Sequence, residues 1–592
     1  MGFLGSTRGL TPSLDAFAST ATVFVRAYAQ APITTVSHAT ILSGTFPPSH
    51  RVTEFGLPLA ATVPWLPQIL HDAGYKTAAF VGSLILDPRA GTAPGFERGF
   101  DEFDAGFHVR RPGESRYQSV ERRGGEVANR AAQWIRGAGS GPWFVWVHLF
   151  DPHDPYDPPP EFRRRFPSAP YDGEIAAVDQ VVGRLIPVAG SGAVIGVTAD
   201  HGEALGDHGE DAHGMSLYDA EVRVPLVVRL PGARPSRVTT RVRLADLAPT
   251  LLEAVGMSVP KTMQGESLIR LKADTTDGAS GFSRGDRPVY AETEYPRLAF
   301  GWSPLTSWRN DRFLYIRAPK PELYDLVADA GAAHNLAQDR PRVVDGMQKE
   351  LDEFLRSSSG TSGTSGTSGT PRTIDPELAR RLAALGYVSG SSATPASGVN
   401  PKDRIALANS LHKAELAVEE GEFANAIPLL EQVTANEPNV RLAQLQLGML
   451  RAHQKQYARA VAPLKKAIAL DPEDMFAHYE LGVALYETGD LGTAAGHFEI
   501  VASRMPKWAD ARYSFASVCA RIDRVSDALR ELRAALALEP NHFRANLLLG
   551  RILTLQGQAD EAVAYLRAAV AAQPADAEAR QFLNDALTKS KK

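Results

Sequence analysis

Two hydrophobic periods divide this chain. Over residues 1–356, short apolar runs alternate with amphipathic stretches, the pattern of a sheet covered by helices. The runs at 75–82, 143–150 and 192–198 are apolar at odd and even positions alike, so each predicts a strand buried on both faces. Segments 62–73 and 174–186 predict helices, and 272–278 reads as a loop of insertion character.

From Ser357 small polar residues take over, and Thr-Ser-Gly triplets run to Thr370. Such residues cannot bury enough surface to offset chain entropy, which predicts a flexible tether. Residues 377–386 can form a short helix that docks back on the first domain. Beyond residue 401 the pattern repeats every 34 residues, with prolines at Pro438, Pro472, Pro506, Pro540 and Pro574 and alanines at Ala426, Ala460, Ala494, Ala528 and Ala562. Leu447-Gly448, Leu481-Gly482 and Leu549-Gly550 share one earlier position, filled by Ala414 and Ala516 in the other two units. Small residues let paired helices approach, and proline ends the second helix of each pair. The pattern resembles the tetratricopeptide repeat, with five units over about 407–574 and a capping helix. That resemblance implies a concave surface for a protein or peptide partner, with a passive spacer or a dimerisation surface as the alternative.

The expected organisation is therefore a first domain over 1–356, a Ser/Gly/Thr linker with a short helix over 357–400, and an all-α solenoid over 401–592. A net charge of -5 over 592 residues creates no large field, which argues against nucleic acid as a partner. The single cysteine, Cys519, excludes an intrachain disulfide and leaves the compartment open. No run approaches the length of a transmembrane helix, and the first residues lack the apolar stretch of a signal peptide.

Two motifs carry the candidate chemistry. The first is Ala31-Pro32-Ile33-Thr34-Thr35-Val36-Ser37-His38, and the second, directly after the apolar run at 192–198, is Ala199-Asp200-His201-Gly202-Glu203. A carboxylate and an imidazole at a strand's carboxyl end can ligate a divalent cation, although Asp200 could instead cap a following helix. Thr34 or Thr35 could likewise serve as a helix cap.

Together these motifs resemble the two halves of the sulfatase-type site in the alkaline phosphatase superfamily. Arg8-Gly9-Leu10-Thr11-Pro12, Arg223-Val224-Pro225-Leu226, Asp246-Leu247-Ala248-Pro249-Thr250 and Pro321-Glu322-Leu323-Tyr324-Asp325 extend the resemblance to about residue 355. It implies an alkaline-phosphatase-like α/β/α sandwich with a small C-terminal α+β subdomain, followed by the all-α solenoid. It also implies a divalent metal ion (Ca, Mg, Mn or Zn) held by Thr34, Asp200 and His201. Thr34 stands where true sulfatases carry the cysteine or serine that becomes formylglycine. A threonine cannot yield that aldehyde, so its adduct must be cleared by a second attack on the central atom, which favours phosphoryl over sulfuryl chemistry.

His38 takes the place of an arginine four residues after the nucleophile. His153 resembles a substrate-side histidine, and His213, twelve residues past His201, replaces a lysine of many sulfatases. Either could steady ester oxygens or protonate the leaving group, or be a loop histidine bonded to backbone. His208 and Glu203 read as structural.

The family's opening strand, with its acidic ligands, normally precedes the point where the resemblance begins. Without it, the sheet is expected to lack a central strand, to bind metal poorly and to fold marginally. Upstream codons are expected to encode an apolar strand ending in an Asp-rich motif behind a signal peptide or membrane anchor, giving a periplasmic or membrane-anchored full-length form. The implied function is a metal-dependent hydrolase of sulfate or phosphate/phosphonate esters, acting on a small-molecule, glycan or lipid ester. The alternatives are a decayed hydrolase in a scaffold protein, or a transferase of phosphorylated headgroups.

Overall fold

The computed structural model describes residues 1–108, 116–269, 271, 287–359 and 396–590. The loop expected at 272–278, the Thr-Ser-Gly triplets and the helix expected at 377–386 lie outside the described residues. The described residues fall into two compact units. Residues 396–409 belong to the first unit, not to the linker or the repeats, and the second takes in the repeats from Ser410. The helix Pro341–Ser359 also runs three residues past the expected domain end at 356.

In the first unit the strands are β1 (Thr22–Tyr28), β2 (Lys76–Val81), β3 (Glu102–Asp104), β4 (Trp143–His148), β5 (Ile195–Thr198), β6 (Arg223–Arg229), β7 (Ser236–Val238), β8 (Val242–Arg243), β9 (Val289–Thr293), β10 (Leu305–Arg309), β11 (Phe313–Arg317) and β12 (Glu322–Asp325). They form three sheets. One runs β5-β6-β1-β7, with β8 also paired to β1; another is the parallel β3-β2-β4; and the antiparallel β12-β11-β10-β9 makes the small subdomain together with Pro341–Ser359. The helices expected at 62–73 and 174–186 form as Leu66–Asp72 and Pro170–Leu185.

The three apolar runs become β2, β4 and β5, but only β2 has the expected burial. β5 contains no buried residue and β4 only Trp146 and His148. The cause is topological, because β4 and β5 each end a sheet and both line one cavity of about 860 Å³. Trp143, Val145, Val147, Val194 and Val197 contribute apolar walls to it, and its polar wall holds Thr34, His38, His153, Asp200 and His201.

Helix Thr34–Ser43 packs on 247–254 with all ten of its residues buried. Its cap position is Ile33, with no side-chain cap bond, so neither Thr34 nor Thr35 caps it. Asp200 starts no helix either: it lies in the loop between β5 and Asp207.

The second unit stacks helix pairs: Ile405–Glu419, which enters this unit from Ser410, with Phe423–Asn436, then Arg441–His453 with Tyr457–Leu470, Met475–Thr488 with Leu491–Arg504, Ala509–Arg521 with Val525–Leu538 and Phe543–Leu555 with Ala559–Ala572, before the capping helix Ala577–Lys589. Each repeated proline falls two residues beyond the second helix of its pair. The repeated alanines are fully buried. A Cβ on Gly448, Gly482 or Gly550 would lie within 2.4–2.8 Å of Leu464, Phe498 or Leu566, which explains the small residue at that register. Among the described residues no helix is long and apolar enough to cross a membrane.

Candidate active site

The amino end of helix Thr34–Ser43 meets the loop after β5. Ser37 Oγ donates to the Asp200 carbonyl at 2.6 Å, and Thr34 Oγ1 lies 3.3 Å from His201 Nε2. Gly202 lets this loop approach residue 220, since a Cβ there would sit 2.1 Å from the Ala220 carbonyl oxygen. His201 Nδ1 is 2.9 Å from the Gly202 carbonyl, an acceptor, so Nδ1 carries the proton and Nε2 presents its lone pair to Thr34. Burial keeps His201 below its usual pKa despite Asp200, and therefore neutral near pH 7.

Asp200 Oδ2 lies 3.5 Å from His201 Nε2 and 3.6 Å from His38 Nε2. Burial alone would raise its pKa, but the surrounding imidazoles hold it well below the carboxylate range. Burial also drives His38 down to about 4, and neither of its ring nitrogens has a hydrogen-bond partner among the described residues. His148, at the carboxyl end of β4, stands edge-on to His38 with centroids 4.9 Å apart. Burial lowers it to about 3.

His213 carries the opposite charge state. Burial opposes its protonation, but the Glu203 carboxylate 2.9 Å from Nδ1 outweighs burial and lifts its pKa to about 9. Reciprocally, burial would raise Glu203, and His213 brings it down to about 2. The His213 ring lies 4.5 Å from His201 and 5.4 Å from His153. His153 gives its Nδ1 proton to the Asp154 carbonyl at 2.6 Å and, lowered to about 4 by burial, is neutral.

Thr34, His38, His153, Asp200, His201 and His213 thus converge. Glu203, left as structural by its sequence, holds His213, and His148 joins the cluster without having been singled out. For His148 the available signal was a polar residue ending the apolar run of β4; for Glu203 there was none, because its partner returns only when the loop folds back. His208 stays outside, bonded to the Ala332 carbonyl at 3.1 Å and stacked on Tyr218.

The arrangement sets a hydroxyl against a neutral imidazole, with a protonated imidazole alongside. Residues 1–257 match the family model Sulfatase, and 206–358 match N-sulphoglucosamine sulphohydrolase, C-terminal. Together the two matches run over residues 1–358, where the chain is similar to the sulfatase family. Residues 411–475, 464–507 and 513–577 match the tetratricopeptide repeat model. Arylsulfatase K of Xenopus laevis is 28% identical over 192 residues, covering 31% of this chain and 35% of its own length. Delta 4,5-hexuronate-2-O-sulfatase of Bacteroides thetaiotaomicron is 25% identical over 435 residues, 63% of this chain and 89% of that protein. The solved structure named for the sulfatase yidJ of Bacteroides fragilis superposes with a TM-score of 0.50 at 20% identity, over 60% of this chain and 92% of that one, a likeness of fold. The chain spans between 29% and 54% of the first curated relatives it matches.

The similarity to sulfatases implies a divalent metal ion. Here Asp200 and His201 supply one carboxylate and one imidazole, while hard divalent ions take six or more ligands, mostly oxygens. Among the described residues no three His, Cys, Asp or Glu side chains form a group that could hold a metal ion. The donor set expected from Thr34, Asp200 and His201 therefore does not by itself fit a divalent ion.

Proposed function

We propose that residues 1–358 hydrolyse sulfate or phosphate and phosphonate esters through Thr34, and that the repeats hold a protein or peptide partner. The observation that carries this reading is the Thr34 hydroxyl 3.3 Å from Nε2 of a neutral His201. Thr34 Oγ1 passes its proton to His201 and bonds to the phosphorus or sulfur. The bond to the ester oxygen breaks, and His213, protonated at neutral pH, gives that oxygen its proton. Water then attacks the same atom and yields a proton to His213, while Thr34 leaves and recovers its own from His201. His213 is also the cation that faces the ester anion, with His153 beside it.

A threonine ester has no aldehyde to collapse to, so the adduct waits for this second attack, which favours phosphorus over sulfur. An alcohol replacing water would make the same site a transferase.

Turnover of aryl phosphate diesters, phosphonate monoesters and aryl sulfates by the full chain, with each of Ca, Mg, Mn and Zn and with chelator, tests the reading. Thr34→Ala should lower turnover by roughly 10³-fold or more with unchanged circular dichroism, because Thr34 caps no helix. Wild-type rates in Thr34→Ala would remove it from the chemistry. A sulfate ester preferred by more than about tenfold, roughly 1.4 kcal/mol of barrier, would overturn the phosphoryl preference. The incomplete donor set favours a second reading, a decayed hydrolase whose repeats carry the surviving function; it is adopted if no ester is turned over under any metal condition.

A further inference from the structure

Residues 396–409 follow the linker in sequence yet fold within the first unit. Ser397 N donates to the Gly301 carbonyl at 2.9 Å, and Ser303 N to the Val399 carbonyl at 3.1 Å. Past this backbone seam, Lys402 spends all three of its protons on buried acceptors: Tyr218 Oη at 2.7 Å, Glu322 Oε2 at 2.8 Å and Tyr324 Oη at 2.8 Å. Glu322 is buried and takes the hydroxyls of both tyrosines, and Lys402 is the counter-ion of its charge among the described residues.

Both anchor points act on one loop. Ala204 N bonds to the Ala212 carbonyl at 2.8 Å and Gly206 N to the Glu210 carbonyl at 2.7 Å, so residues 204–212 form a hairpin with Glu203 and His213 at its base. Besides the bond of His208 to the Ala332 carbonyl at 3.1 Å, the tip of that hairpin is held in two ways that lead to this segment. His208 lies flat on the Tyr218 ring, with centroids 3.5 Å apart and planes 7° from parallel, and Tyr218 is the ring that Lys402 secures. Asn409 meets the backbone with both ends of its amide, donating to the Gly209 carbonyl at 2.8 Å and accepting from Asp211 N at 3.1 Å.

We infer that Lys402 and Asn409 are positioning residues of the active-site hairpin, so that the hydrolase site is completed by a segment that follows the linker. Neither touches the reacting atoms. They act through the hairpin on the Glu203–His213 pair, whose spacing depends on both legs staying in register. Leu205, the hairpin's one large apolar side chain, is exposed, so apart from buried Ala204 and buried Glu210, which accepts from Met215 N at 2.9 Å, these anchors carry its tip. The catalytic part of this inference rests on the hydrolase reading above; the structural part does not.

Hydrogen exchange on the full-length chain tests the structural part. In Asn409→Ala and in Lys402→Met the amides of 204–213 should exchange about tenfold faster than in wild type, while those of β1 and β6 hold their rates. Lys402→Arg, which keeps the charge and several donors, should recover most of the protection; Lys320→Ala, which removes only the exposed Lys320–Asp403 pair at 2.6 Å, should change nothing at the hairpin. Wild-type exchange at 204–213 in Asn409→Ala overturns the inference, and because Asn409 is only half-buried this variant decides the matter even where Lys402→Met fails to fold. For any ester the wild type turns over, both variants should lose kcat with KM little changed; a wild-type kcat alongside a loosened hairpin overturns the positioning role. Should no ester be turned over at all, the hydrolase reading fails and the exchange result alone decides this one.

Discussion

Glu203 and His213 fix each other's charge inside a buried loop, and this makes the site's pH response predictable. His213 is raised from 6.5 to about 9, so its contribution to stability is complete below 6.5 and disappears as pH rises through about 9. Glu203 is lowered from 4.5 to about 2, so its contribution is complete above 4.5 and disappears as pH falls through about 2. The pair is therefore at full strength between about 4.5 and 6.5 and weakens only on the alkaline side within the usual working range. Proton donation by His213 should follow the same curve, with activity falling through about pH 9. Glu203→Gln removes the charge that overcomes burial, so the alkaline limb should shift down by at least about one pH unit, measured on kcat/KM. An unmoved limb would assign that titration to another group. Thr34, Asp200 and His201 were legible in the sequence because short contiguous motifs carry them at a helix start and a strand end. The Glu203–His213 pair was not, because two residues ten apart in a loop become partners only through the backbone bonds that close the hairpin.

Strand composition revealed where β2, β4 and β5 run but not what lies beside them. An apolar run says that a strand can be buried on both faces; whether it is depends on neighbours that periodicity does not report. β2 lies between β3 and β4 and is buried beyond Lys76. Among the described residues β4 pairs only with β2 and β5 only with β6, and both border the cavity of about 860 Å³. In a strand paired on one side, alternate backbone amides lack a ladder partner. Alternate amides of β4 should therefore exchange fast, with their neighbours protected by β2, when exchange is resolved residue by residue. Uniform protection along β4 would mean that its free edge is covered in solution. The repeats were legible at this scale because each glycine and alanine answers a contact inside its own helix pair, such as Gly448 against Leu464, and local constraints leave a periodic trace.

A chain-wide boundary is harder to read than a repeat. The composition change at Ser357 marks where small residues begin, yet the first unit takes residues from the far side of that stretch. Lys402 finds Tyr218 across 184 positions and Glu322 across 80, separations at which no motif or period connects the partners. The repeat solenoid has the opposite character, since each helix packs mainly on its neighbours, as in Arg441–His453 on Tyr457–Leu470 and Met475–Thr488 on Leu491–Arg504. Nearest-neighbour packing makes stability approximately a sum over pairs and their interfaces, so the array should not need the first unit to fold. A fragment comprising residues 405–592 is accordingly expected to give a helical circular dichroism spectrum and a cooperative melt on its own. A fragment comprising 1–359 is expected to melt below the corresponding transition of the full chain, because it leaves Glu322 buried without Lys402. An unfolded 405–592 fragment would show that the repeats depend on the first unit. An undiminished melting temperature for 1–359 would show that residues 396–409 add nothing to the stability of the unit they complete.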